Sequence, residues 1–121
     1  MYKSITNVVV IEASRAQGAL EAAKAKMIAE LSAPTQTHIG FAETVFAAQA
    51  LLNEWTKFYI VAEKYKGEAD LEARLAKRAE KLRDQLVEEY EVQSTSPWVN
   101  AESRTARKAK VQVYAILRDL I

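Results

Sequence analysis

Hydrophobic positions recur along most of this chain at steps of three and four, the period of an amphipathic α-helix. Between Glu12 and Ala33, the residues Ala13, Ala16, Leu20, Ala23, Met27 and Leu31 share one face of a segment rich in Ala, Glu, Lys and Leu. Gly18 interrupts that segment at a cost of about 1 kcal/mol relative to Ala, which predicts a close helix crossing there. The β-branched run before it, Ile5 to Ile11, reads two ways. It is a short strand in need of a partner, or it is the start of the same helix with Asn7 as a cap. The helix is preferred, because no second strand is convincing.

Ser32 to Gly40 contains Pro34 and reads as the first connection, with His38 in a loop. Phe41, Val45, Ala48, Leu52, Trp55, Tyr59 and Ala62 then form a heptad seam, and Leu51, Phe58 and Tyr65 form a second one at steps of seven. A helix from Phe41 to Lys66 would be about 39 Å long, and its two seams predict a central helix covered on more than one side. Gly67 stands where a left-handed C-cap is needed, with Lys64 and Lys66 at the negative end of the helix dipole. Glu68, Asp70 and Glu72 open the next helix, whose stripe is Leu71, Leu75, Ala79, Leu82, Leu86 and Tyr90, ending near Val92. After the break from Gln93 to Asn100, either Ser96 before Pro97 or Asn100 caps the last helix. That helix turns Ala106, Ala109, Val113, Ile116, Leu117 and Leu120 to one side. The pattern therefore predicts an all-α protein: a single helical domain over residues 1–121, a bundle of about four helices with one long central helix.

Composition narrows the chemistry. With 121 residues, half of them hydrophobic and 27% charged, the chain is long enough for one core and too ordinary for a disordered segment. Three Gly and two Pro leave few tight turns for a sandwich or barrel. The absence of Cys excludes disulfides, thiolate nucleophiles and Cys-ligated zinc. No apolar run approaches the roughly 18 residues of a membrane span, and Val8 to Ile11 is too short for a secretory signal. A cytoplasmic location, in a bacterial or virus-infected host cell, is the expectation.

Catalytic patterns are missing. The chain has no phosphate-loop, dinucleotide or nucleophile-elbow motif. His38 lacks the Glu three positions earlier that a di-iron bundle uses, since residue 35 is Thr. Glu88 and Glu91 share a helix face but sit among other charges, not in an apolar pocket that would separate their pKa values. No enzyme, no metal site and no cofactor is expected.

Charge is balanced overall at +1 but not locally. Residues 68–92 hold five basic and eight acidic groups, and residues 93–121 hold five basic and two acidic ones. Asp84, Glu88, Glu89 and Glu91 end one helix, and Arg104, Arg107, Lys108 and Lys110 begin the next, both against the dipole preference. An antiparallel pairing of those helices would place each set beside the other, which chiefly fixes orientation. The other reading puts Arg104, Arg107, Lys108 and Lys110 on the phosphates of a nucleic acid, with Arg74, Lys77, Arg78 and Lys81 as a second strip. With no recognition-helix signature and no aromatic interleaving, such binding would be salt-sensitive and indifferent to sequence. Leu51, Trp55, Phe58, Tyr65 and Trp98 supply more apolar surface than a lone four-helix layer covers, which predicts an interface with a second copy or a partner protein.

Leu51, Leu52, Trp55, Tyr59 and Lys64, followed by Ser96-Pro97-Trp98 and then Lys110, Val113, Tyr114 and Leu117, resemble two elements of bacteriophage small terminase subunits. In that family an aromatic-rich helix precedes an Asn-Pro turn and a final helix with a Leu-Gly-Leu-Thr-Pro-like end. The likeness covers about residues 48–121. Ser96 replaces the Asn, the chain stops at Leu120-Ile121 without the closing motif, and no N-terminal DNA-binding helix pair is evident. The resemblance implies an oligomeric, non-catalytic accessory of viral DNA packaging. The competing expectation is a small adaptor or inhibitor that binds a host or viral protein through aromatic and acidic helix surfaces.

Overall fold

A computed structural model of the chain describes residues 4–31, 38–95 and 101–121, with side chains described over 4–29, 43–89 and 104–121. Among them are four α-helices, α1 (Ile5–Leu31), α2 (His38–Lys64), α3 (Leu71–Thr95) and α4 (Ala101–Leu117), closed by a 3₁₀ turn at Arg118–Leu120. No strand occurs among the described residues. None of the described helices is long and apolar enough to cross a membrane.

The β-branched start of the chain is helical, and burial shows why. Val8 and Val9 are buried while Val10 and Ile11 are about half exposed, a pairwise rhythm that fits a helix and not the alternation of a strand. Ile5, Val9, Ala13, Ala16, Leu20 and Ala23 make one continuous inward row, so a strand there would cut a face already complete. The cap is not Asn7. Ser4 Oγ accepts the amide of Asn7 at 3.1 Å, the ordinary reach of an N-cap hydroxyl to the third helical residue.

A second cap comes from far along the chain. Glu72, in the first turn of α3, accepts the amides of Ile5 (2.9 Å) and Thr6 (3.4 Å) and the Thr6 hydroxyl (2.9 Å). A carboxylate at the positive end of α1 thus ties the first helix to the third. Glu72→Ala should cost about 1 to 2 kcal/mol, read as a lower urea midpoint with an unchanged slope. Glu72→Gln should lose less, because its amide oxygen still accepts one amide.

α1 and α2 are equally long, about 40 Å each at 27 residues, and pack against each other along much of that length. Residues Ile5, Val8 and Val9 near the start of α1 meet Trp55, Phe58 and Ala62 near the end of α2 in one core, so the pair is antiparallel. α3 adds Leu71, Leu75, Ala79 and Leu82 to that core, and α4 adds Val113 and Leu117. Trp55 and Phe58 stand 6.2 Å apart at 57°, within the favourable range of tilted aromatic pairs. The chain reverses between α2 and α3 at Gly67, whose φ of +85° is the left-handed cap that its position predicted.

Several sequence expectations change here. α2 is not a uniquely long central helix, since α1 matches it. Among the described residues, Leu52, Trp55 and Ala62 of one seam and Leu51, Phe58 and Tyr65 of the other join the protein's own core. Trp55 is 1% and Phe58 2% exposed, so neither is available to a partner. Leu51 and Tyr65 are partly buried against the same core, and Trp98 lies outside the described residues, as do the cap candidates Ser96 and Asn100. Tyr59 leaves the seam for the surface, where a hydrogen bond and the negative charge of Glu63 raise its phenol above the usual value. Gly18 is exposed and a Cβ built on it would meet nothing within 4 Å, so no helix among the described residues crosses there. Ile116 is 40% exposed, because Ala109, Val113 and Leu117 at steps of four already fill the inward row of α4. His38 is the first residue of α2 and not part of a loop.

Candidate nucleic-acid interface

Arg74, Lys77, Arg78 and Lys81 follow the i, i+3, i+4, i+7 spacing that lines one side of a helix. On α3 this side adjoins the buried row of Leu71, Leu75, Ala79 and Leu82 and is turned towards α2. Between the two helices lies an open groove of about 490 Å³, lined by those four cations together with Val61, Tyr65, Glu80 and Asp84. A smaller recess of about 50 Å³ adjoins it and shares Arg78 and Lys81, with Glu54, Lys57, Phe58, Leu82 and Gln85 as its other walls.

The charges of the groove are unevenly spent. Glu54, buried at 6% exposure, is held by Lys57 at 3.0 Å one turn away. Asp84 lies 3.4 Å from Arg83, its neighbour in sequence. Arg74 is anchored by Asp70 at 2.9 Å. No ion pair engages Lys77, Arg78 or Lys81 among the described residues. From Arg74 to Lys81 the strip rises about 10 Å, long enough to reach more than one phosphate of a nucleic-acid strand.

The reversal at Gly67 also brings an aromatic ring to this strip. Tyr65 follows the last residue of α2, and the guanidinium carbon of Arg74 lies 3.9 Å from its ring centroid. Lys64 Nζ is 5.4 Å from the same centroid. Both lie within the range of a cation–π contact. The sequence places Tyr65 nine residues before Arg74, on the far side of a turn, so no helical spacing rule could pair them; only the turn does.

The four cations of α4 are not brought to one surface. Lys110 forms an ion pair with Glu89 of α3, with its side chain 17% exposed, so the acidic end of α3 and the basic start of α4 do face each other at that point. Arg107 is half-buried and has an interaction of its own. Arg104 and Lys108 remain exposed, one turn apart, next to an exposed Val111. That stripe is thinner than the one on α3.

No cluster of three or more His, Asp or Glu able to hold a metal ion occurs among the described residues. No protein-family model matches this chain, and neither the curated proteins nor the solved structures yield a match. The likeness to small terminase subunits therefore rests on the quoted residues alone.

Proposed function

We propose that this is a non-catalytic helical protein that associates with itself and contacts nucleic acid through the groove between α2 and α3. The supporting observation is the row Lys77, Arg78 and Lys81, three cations without an ion-pair partner among the described residues. They stand beside an open groove whose fourth cation, Arg74, is fixed by Asp70 and Tyr65. Lys110, by contrast, is engaged by Glu89. Self-association draws on apolar surface outside the core, including Phe46 at 67% and Ile60 at 59% exposure on α2 and Ile28 at 63% on α1. The likeness to small terminase subunits supplies one setting, an accessory of a machine that packages viral DNA.

A labelled oligonucleotide titrated at two salt concentrations tests this reading. Three phosphate contacts should weaken binding roughly 20-fold (single strand) to 40-fold (duplex) between 50 and 200 mM salt. Light scattering on the same samples should give a mass above the 13.6 kDa of one chain. No binding at the lower salt removes the nucleic-acid reading, and a mass fixed at one chain at every concentration removes self-association.

A further inference from the structure

Tyr65 and Arg74 give the groove something that a phosphate clamp does not need. The guanidinium of Arg74 covers the Tyr65 ring at 3.9 Å, is oriented by Asp70 at 2.9 Å, and leaves 42% of its side chain exposed. A flat cation is thereby held against an aromatic face with surface left towards the groove, beside the apolar wall of Val61. Guanidinium planes and aromatic rings are the platforms on which unpaired bases stack.

We infer that the α2–α3 groove takes a single strand of nucleic acid, with phosphates on Lys77, Arg78 and Lys81 and a base stacked on the Tyr65–Arg74 pair. This rests on the phosphate-binding reading above and narrows it to one class of ligand. In a duplex every base face is already covered by its neighbours, so the pair would find nothing to stack on. In a single strand the faces are free. The space also fits: an open groove of about 490 Å³ between two helices has room for a base. Among the described residues that line the groove and its recess, Gln85 is the only side-chain amide, and it lies in the recess. Stacking on a guanidinium and a ring is tolerant of base identity, so strands of different sequence are expected to bind with similar affinity.

The test compares three probes on the full chain by anisotropy and competition: an oligothymidylate, a blunt-ended two-strand duplex of equal phosphate count, and inorganic polyphosphate. Arg74→Lys keeps the charge and removes the plane; Tyr65→Leu removes the ring and keeps apolar bulk against the core. Each variant is checked for helix content and melting temperature first. The oligothymidylate should bind more tightly than the duplex, and Arg74→Lys should weaken it by roughly 5-fold or more, as expected when a base no longer stacks. Competition by polyphosphate should hardly change. Equal losses for oligothymidylate and polyphosphate, or tighter binding of the duplex, overturn the stacking inference and leave the groove as a phosphate site. If none of the three probes binds at low salt, the phosphate-binding reading fails as well.

Discussion

Removing Lys77, Arg78 and Lys81 together, as alanines, is expected to abolish nucleic-acid binding at moderate salt while leaving the fold unchanged. At about 1 kcal/mol for each cation withdrawn from a phosphate, the three account for roughly a 150-fold weaker affinity. The salt slope changes independently of that magnitude. It should become shallower by about 2 for a single strand and about 2.7 for a duplex, since each phosphate contributes its own released counterion. None of the three lies in the buried row of α3; Lys77 and Lys81 are exposed and Arg78 is half-buried, and substitutions at exposed positions shift stability by about 0.5 kcal/mol or less. The matching substitutions Arg104→Ala and Lys108→Ala on α4 should cost far less affinity. A larger loss from the α4 pair than from the α3 trio would move the interface to α4.

The second large effect lies in the core. Trp55→Ala should lower stability by about 3 to 5 kcal/mol, the cost of emptying a fully buried aromatic site. Total stability of a domain this size is about 5 to 15 kcal/mol, so the variant should approach unfolding near physiological temperature. Expressed as melting temperature, the drop is roughly 10 to 20 °C. Phe46→Ala, by contrast, truncates a residue that is 67% exposed and should barely change thermal stability of the single chain. Measuring both variants separates two roles that a heptad pattern leaves open. A Trp55→Ala protein that melts normally but no longer assembles would return Trp55 to a subunit interface.

That ambiguity explains how far the sequence could be read. Helix positions were legible because rows such as Leu71, Leu75, Ala79 and Leu82 repeat at the helical period, and Gly67 marked its own turn. What a pattern does not carry is which neighbour covers a face. Two seams on α2 implied more apolar surface than one chain could hide, yet the inner end of α2 meets α1, α3 and α4 at once, and Trp55 and Phe58 vanish among them. Gly18 implied a crossing for the same reason and turned out to face solvent.

The candidate site was legible only in part. Arg74, Lys77, Arg78 and Lys81 stand out by spacing, so the cationic strip could be named from the sequence. Their standing relative to Arg104, Arg107, Lys108 and Lys110 could not, because it depends on which acids each set faces. Glu89 engages Lys110 and leaves the α3 strip as the richer one. Contacts between distant positions were invisible: Glu72 caps a helix that begins 67 residues earlier, and Tyr65 reaches Arg74 only because the chain turns at Gly67.

Chemical-shift mapping of the isotopically labelled chain during titration with a short single-stranded oligonucleotide addresses the groove most directly. Amide shifts should concentrate at residues 61–65 and 74–85, on the two walls, and should revert as salt is raised. Shifts confined to α4 around Arg104 and Lys108, or none at all at low salt, would contradict the assignment of the α2–α3 groove.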